Sequence, residues 1–411
     1  MHVFVITQYF WPEDFRINEL AAGLVERGHR VTVLTGIPNY PQGHYFSGYG
    51  LASRREENYR GCRVIRVPLL PRGNSRGYQL ALNYLSFALA ATVMAPWKSD
   101  DSVDAILVCQ LSPATVGIPA IVLKWLRRRP MMLWVLDLWP ESLSATGAVS
   151  SRLVLGLVRR MVAAIYRSSD LILASSRAFI PHIEKMGGRE GIVRHFPNWA
   201  EEPYNAQPVS TAAAYPRVPA DAFKVMFAGN IGRAQNFETI VAAAELLKSE
   251  SDIHWLVVGD GRMRPWVQQQ IIERKLERTV HLLGRHPHEE MPGYFALADA
   301  LLVTLSRDPL FSLTAPGKLQ SYLASGKLIV GALDGEGRRV IEESGAGLVC
   351  PPEDPGALAE AVLSASRMPV AARASMGEAG KRYCSAHFRK EPLIDSLDHW
   401  LQEIVAGCGS R

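Results

Sequence analysis

Phe223-Lys224-Val225-Met226-Phe227-Ala228-Gly229-Asn230-Ile231-Gly232-Arg233-Ala234-Gln235 reads as a short apolar strand running into a loop with two glycines. Gly229 and Gly232 let backbone amides approach a ligand closely, and the helix that follows offers its N-terminus to an anion. Asn230 sits between them, and Arg233 adds a full positive charge. Taken alone, the loop is equally an ordinary strand-to-helix turn, so its neighbours decide its meaning. Downstream the pattern continues as helix Phe237–Lys248, strand Trp255–Val258, a helix from Arg264, strand Val280–Leu283 and strand Ala300–Val303. Upstream, Asn198–Ala222 carries Pro203, Pro208, Pro216 and Pro219 without a sustained period, as an interdomain connection does.

The first half alternates in the same way. Strand Val3–Ile6 precedes a helix over Glu13–Arg27, whose Ile17, Leu20, Ala21, Leu24 and Val25 share one face. Strands follow at Val31–Leu34, Val64–Val67, Asp104–Val108, Met132–Leu136 and Leu171–Leu173, and Ser112-Pro113 reads as a capped helix start. The expected architecture is α/β, with two Rossmann-like, doubly wound domains facing an interdomain cleft. The domains are an N-terminal one over 1–198, a linker over 199–222 and a second domain over 223–385. A terminal helix within 386–411 is expected to pack back on the first domain. Ligands of such sheets bind beyond the carboxyl ends of the strands.

The chain has 411 residues, 48% of them hydrophobic and 21% charged, which excludes a disordered or fibrous protein. Its five cysteines are scattered with no Cys-x-x-Cys pair, so neither a disulfide framework nor a zinc site is indicated, and a reducing cytoplasm fits. Met1–Ile6 reads as a first strand and not as a signal-peptide core.

Three further loops stand out. Val258-Gly259-Asp260-Gly261 follows a strand, though an Asp-Gly turn needs no ligand to explain it. In Leu283-Gly284-Arg285 a strand ends at a glycine, where backbone groups can pair with a nucleobase edge. Thr314-Ala315-Pro316-Gly317-Lys318 opens the helical segment Leu319–Ser325. A lysine in a first helical turn opposes the helix dipole, a cost that a bound diphosphate would offset.

In the order and spacing of these motifs, ending in Pro316-Gly317-Lys318-Leu319-Gln320-Ser321-Tyr322, the chain resembles the donor domain of retaining, family-four GT-B glycosyltransferases. In the first half, Gln8-Tyr9-Phe10-Trp11-Pro12-Glu13, Gly36-Ile37-Pro38-Asn39-Tyr40-Pro41 and Asp137-Leu138-Trp139-Pro140-Glu141-Ser142 resemble one bacterial branch. That branch builds O-antigen and capsular or colanic-acid-type polysaccharides and includes L-fucosamine transferases. The resemblance spans Val3 to about Trp400. It implies a nucleoside diphosphate sugar donor, UDP-linked, and a lipid-linked (polyprenyl diphosphate) sugar acceptor. It also implies retention of anomeric configuration, at the inner face of the bacterial membrane. No metal cluster such as Asp-x-Asp follows a strand, so neither metal nor cofactor is expected, and positive side chains and helix N-termini are left to neutralise the diphosphate.

On that reading Gly229, Asn230, Gly232, Arg233, Gly259, Asp260, Gly284, Arg285, the Thr314–Lys318 loop and Ser321 bind donor. Arg233 and Lys318 take the leaving-group charge. Asp137 orients the acceptor hydroxyl or stabilises positive charge, or else only caps the helix near Pro140. Trp11, Glu13, Asn39 and Tyr40 are acceptor-side candidates, although a first-turn acid such as Glu13 also simply favours a helix. The chain departs from the family at Asn230 and Gln235, where an arginine and a lysine are usual, and near Leu313 and Ser321, where two glutamates are usual. Trp11-Pro12-Glu13 replaces paired glycines. A deoxy or acetamido donor sugar fits the missing glutamates. A nucleotide-sugar epimerase and a non-catalytic membrane-assembly protein stand as alternatives.

Tyr78–Trp97 is uncharged over nearly a bilayer's thickness, and reads as a core helix, a membrane-surface helix or a span. Ser151–Arg167 places Leu153, Val154, Leu157, Val158, Met161 and Ile165 on one face beside Arg152, Arg159, Arg160 and Arg167, and Arg127-Arg128-Arg129 ends another helix. Such a pattern suits an anionic membrane surface, or an amphipathic core helix with a solvated basic edge. No nucleic-acid recognition module accompanies the charge.

Overall fold

The computed structural model describes residues 1–53, 55–74, 76–145, 149, 151–200 and 218–409, so positions 201–217 of the expected connection lie outside the described residues. The chain forms two compact units, one of Met1–Pro197 with Lys390–Arg411, the other of Asn198–Arg389.

The first unit holds β1 (His2–Ile6), β2 (Arg30–Gly36), β3 (Glu56–Tyr59), β4 (Cys62–Val67), β5 (Ala105–Gln110), β6 (Met131–Val135), β7 (Leu171–Ala174) and β8 (Val193–His195) in the order β3-β4-β2-β1-β5-β6-β7-β8. All neighbours are parallel except β3 and β4, an antiparallel edge hairpin turned at Arg60 (φ 47°) and Gly61 (φ 84°). The sheet is therefore mixed and not purely parallel. The strand order reverses at β1, which pairs with both β2 and β5.

The second unit holds β9 (Phe223–Ala228), β10 (Ile253–Val258), β11 (Val280–Gly284), β12 (Ala300–Thr304), β13 (Leu328–Ala332) and β14 (Gly347–Cys350), all parallel, in the order β11-β10-β9-β12-β13-β14. This is the doubly wound dinucleotide-fold order, with its switch point at β9. On β9, Phe223, Val225 and Phe227 pack into one core, while Met226 and Ala228 pack into another on the opposite face. A strand covered on both faces reads as a continuous apolar run.

Helix Lys390–Gly409 closes the first unit. It buries Ile394, Leu397 and Leu401. A Cβ on Gly23 of helix Arg16–Glu26 would lie 2.6 Å from Ile394 Cδ1, so the glycine permits the close approach. Arg27 pairs with Glu391 at 2.9 Å and Asp395 at 2.6 Å, His29 lies 2.7 Å from Asp398, and Arg194 donates twice to Glu403 at 2.8 and 2.9 Å.

Helix Gly77–Lys98 is fixed to this unit by one face. Asn83, Phe87, Ala91 and Ala95 are buried, Asn83 donates to Leu70 O at 2.5 Å, and it accepts from Gln8 Nε2 at 2.7 Å. Helix Arg152–Ser168 buries Val162, Ala163, Ile165 and Tyr166 but leaves Leu153, Val154 and Leu157 exposed, so its apolar face is not all core. The helical turn after β5 begins at Ala114, with Pro113 rather than Ser112 in the cap position.

Candidate active site

In the second unit three glycines end three adjacent strands in backbone conformations that disfavour side chains: Gly229 (φ 136°), Gly259 (φ 141°) and Gly284 (φ 79°). Their backbones interlock. Gly229 N donates to Val258 O at 2.9 Å, Gly259 N to Gly284 O at 2.7 Å and Ile231 N to Asp260 O at 2.8 Å. A Cβ on Gly259 would lie 1.9 Å from Gly229 O. The glycines therefore allow three strand ends to converge on one cavity.

Helix Gly317–Ser325 supplies the fourth wall. The Tyr322 hydroxyl, fully buried, accepts from Ala228 N at 2.8 Å and donates to Ala228 O at 3.2 Å, pinning this helix to the end of β9. Lys318 stands one turn earlier, on the same helix face. Its stem is partly exposed, but Nζ is buried, without a hydrogen-bond partner, 3.6 Å above the Phe227 ring. A Cβ on Gly229 would lie 3.1 Å from that nitrogen. Loss of water pushes the ammonium down to about 7, and no anion opposes the shift. The ring face recovers only part of the lost hydration.

The cavity, of about 1540 Å³, is lined by four Lys or Arg side chains (Arg262, Arg285, Lys318 and Lys327) and by one carboxylate, Asp260. Asp260 Oδ1 accepts from Gly261 N at 2.8 Å. Pro287, Met291, Pro292, Phe295 and Ala324 give an apolar wall. Among the described residues no group of three or more His, Cys, Asp or Glu is placed to hold a metal ion. Cations beside glycine-rich strand ends, with an apolar flank, are chemistry that would suit a polyanion such as a nucleoside diphosphate.

The cavity brings together Gly229, Asn230, Gly259, Asp260, Arg285, Gly317, Lys318 and Ser321. Gly232, Gly284, Thr314, Ala315 and Pro316 shape the loops without lining it. Arg233 is exposed on the turn Arg233–Gln235 and does not line this cavity. Tyr322, Phe227, Arg262 and Lys327 were missed. The i,i+4 spacing of Lys318 and Tyr322 was the one available signal.

In the first unit, loops after β1, β2, β5 and β6 carry cis bonds at Trp11-Pro12, Tyr40-Pro41, Ser112-Pro113 and Trp139-Pro140. Glu13 is 2% exposed, and its carboxylate accepts from Asn39 N (2.8 Å), Tyr40 N (2.7 Å) and Phe10 N (3.3 Å). It fastens the β1 loop to the β2 loop. Burial pushes this carboxyl up to about 7 against the pull of those amides. Asn39 is buried too, accepting from Arg72 N at 3.2 Å, whereas Tyr40 is exposed under the Arg72 guanidinium, 4.9 Å from the ring centre. Trp11 is half-buried, stacked on Tyr59. Asp137, half-buried, accepts from the Ser142 hydroxyl, and its carbonyl accepts from Gln110 Nε2 at 3.0 Å. Burial holds its carboxyl above the ordinary range.

Two α/β units with these sheet orders and a basic cavity at a switch point define a GT-B fold, that of nucleotide-sugar-dependent transferases. Residues 15–199 match the glycosyl transferase 4-like domain and residues 222–367 match glycosyl transferases group 1, and the chain is a glycosyltransferase. It is similar to WbjE of Pseudomonas aeruginosa, named as a probable glycosyltransferase, with 29% identity over 313 residues and 75% of each chain covered. It is also similar to WcaI of Escherichia coli K12, named for glycosyl transfer in colanic acid biosynthesis, with 25% identity over 323 residues, 75% of this chain and 76% of WcaI. Anabaena Alr3699/HepE, solved in complex with UDP, superposes with a TM-score of 0.72 at 14% identity, covering 98% of this chain and 100% of that one.

Proposed function

We propose that the chain moves a sugar from a UDP-linked donor to a lipid-linked (polyprenyl diphosphate) sugar acceptor at the inner face of the bacterial membrane, in surface-polysaccharide biosynthesis. The observation that carries the reading is the buried, partnerless Lys318 ammonium facing the glycine-lined strand ends. A diphosphate there supplies the missing counter-charge, and as the glycosidic bond breaks the growing negative charge on the leaving oxygen lies beside that ammonium. Arg262 and Arg285 add cations on the same lining. The UDP complex of the structural relative and the polysaccharide role in the name of WcaI support donor and pathway class.

Transfer with retention, through an oxocarbenium-like transition state, follows from the family resemblance. Leu313 and Ser321 leave no carboxylate at the usual sugar-contact positions, which suits a donor with fewer hydroxyls, such as a 6-deoxy or N-acetylated amino sugar. Asp137 is the acceptor-side carboxylate in this scheme. The experiment is nucleoside diphosphate release across a panel of nucleotide sugars with a lipid-diphosphate sugar acceptor. Turnover with one donor, lost in Lys318→Ala, supports the reading. Donor binding without release would instead mark a non-catalytic assembly protein.

A further inference from the structure

Helix Gly77–Lys98 extends for about 33 Å at the usual rise per residue. Its outward stripe is Tyr78, Leu82, Leu85, Leu89, Val93 and Trp97, at successive spacings of three or four. Leu89 is 70% exposed and Trp97 is 86% exposed. An outward helix face in water is normally polar. Helix Gly117–Arg127 packs beside it and helix Arg152–Ser168 packs beside that one. They add Trp125, 79% exposed, and Leu153, 75% exposed, with Leu126, Val154 and Leu157. These three helices carry eleven of the seventeen large apolar side chains exposed among the described residues, so the feature is one concentrated face and not scattered surface.

The same three helices contain no Asp or Glu, although the chain has 40. Their own charges are all positive; Lys98, Lys124, Arg127 and Arg159 pair with Glu56, Asp170, Asp101 and Glu141 on neighbouring elements, which leaves cationic excess at Arg128, Arg152 and Arg160. Arg160 lies on the helical stripe of Leu153 and Leu157, Arg128 stands exposed two residues after Leu126, and Arg152 and Arg159 are exposed. A partner of matching chemistry is apolar in its depth and negative at its surface. A second copy would set basic residues against basic residues and is disfavoured.

The helix has the length and a mean hydropathy of 1.4 that would allow it to cross a bilayer. Its opposite face, however, is committed to the first unit through Asn83, Phe87, Ala91 and Ala95, and leaving would expose Asn83 and the Gln8 amide it accepts from.

We infer that this three-helix face docks on an anionic lipid bilayer, with helix Gly77–Lys98 lying in the membrane plane, its outward half in the headgroup and acyl boundary and its inward half in the protein. Tyr78 and Trp97 stand at the two ends of the stripe, where amphipathic rings favour the interface. The inference deepens the lipid-linked acceptor reading and rests on it for its purpose: the docked face holds the acceptor unit at the depth of its substrate.

The test uses the full chain and sedimentation with phosphatidylglycerol-containing or pure phosphatidylcholine vesicles. The expected result is salt-sensitive binding to the anionic vesicles, weakened about tenfold or more in Leu85→Glu/Leu89→Glu and in Arg159→Glu/Arg160→Glu. Each variant is checked for an unchanged melting curve, and Leu89→Ser replaces the first pair if that pair melts early. Undiminished binding of the leucine variants, absence of binding by the parent chain, or a dimer that the leucine variants dissociate would each overturn the inference. Nucleotide-sugar turnover with a water-soluble acceptor is read in parallel. Vesicle binding without turnover would sink the transferase reading and leave docking standing, while turnover without vesicle binding would do the reverse.

Discussion

The Tyr322 hydroxyl closes a two-way hydrogen bond with the peptide of Ala228, accepting from its N–H at 2.8 Å and donating to its carbonyl at 3.2 Å. One buried side chain thereby ties the Lys318 helix to the strand that ends at Gly229. The distance between the ammonium and the glycine loop is set by this link.

Removing the hydroxyl in Tyr322→Phe leaves two backbone groups of Ala228 without this partner in a dry environment. The expected loss is about 1–3 kcal/mol of unfolding free energy, measured by urea titration. Turnover should fall as well, because Lys318 no longer has a fixed seat. Full activity at unchanged stability would show that the helix is held by apolar packing alone.

Lys318→Met should separate stability from activity. In the unliganded chain the ammonium is depressed from 10.5 to about 7, so the unfolded state binds more protons between those limits. The deficit in stability is therefore greatest below about pH 7 and disappears as pH rises through the unfolded value. The methionine variant is expected to be more stable than the parent by about 1 kcal/mol or more near pH 6. Its turnover is expected to fall by about 10²–10³. Thermal melts and nucleotide-release rates decide both halves.

Donor binding should take up a proton. Above about pH 7 the empty site holds a neutral Lys318 amine, and a bound diphosphate returns it to the ordinary ammonium range. Affinity is then expected to weaken by up to about tenfold per pH unit above 7 until the bound-state pKa is reached. Calorimetry in two buffers of different ionisation enthalpy should register up to about one proton taken up. Equal heats in both buffers would mean that the lysine is already charged in the empty site.

Gly259→Ala tests the convergence of the strand ends. Its Cβ would fall 1.9 Å from Gly229 O, on a backbone with φ 141°. Strain of this kind costs about 1–3 kcal/mol, and the shift it forces displaces the Gly229 loop. Nucleotide affinity, followed by protection against melting, should drop along with stability. Ser321→Ala, on the same lining but free of this crowding, should leave stability unchanged.

The fold was legible where strands are covered on both faces, since runs such as Val225–Ala228 and Trp255–Val258 have few other uses. Leu328–Ala332 and Gly347–Cys350 escaped notice because they are short and contain glycine, and Glu56–Tyr59 because an exposed edge strand need not be apolar. Glycine loops could be read singly. That Gly229, Gly259 and Gly284 interlock depends on strand order, which local pattern does not carry. The placement of Arg233 off this lining was illegible for a related reason: adjacency to the loop says nothing of which way a tight turn directs its side chain. Glu13 reads as a ligand group until the amides of Asn39 and Tyr40, distant in sequence, are seen to occupy it.

The placement of helix Lys390–Gly409 bears on how the chain is made. Synthesis runs from the N-terminus, yet the wall formed by Ile394, Leu397 and Leu401 leaves the ribosome after every residue of the second unit. The contiguous second unit can complete its core first, while the earlier-made unit waits, with the Gly23 side of its first helix uncovered, for the last stretch of chain. A released chain truncated after residue 389 should therefore be protease-resistant over 218–389 and still cleavable within 1–197. Adding back the terminal helix as a separate peptide should restore protection to the first unit.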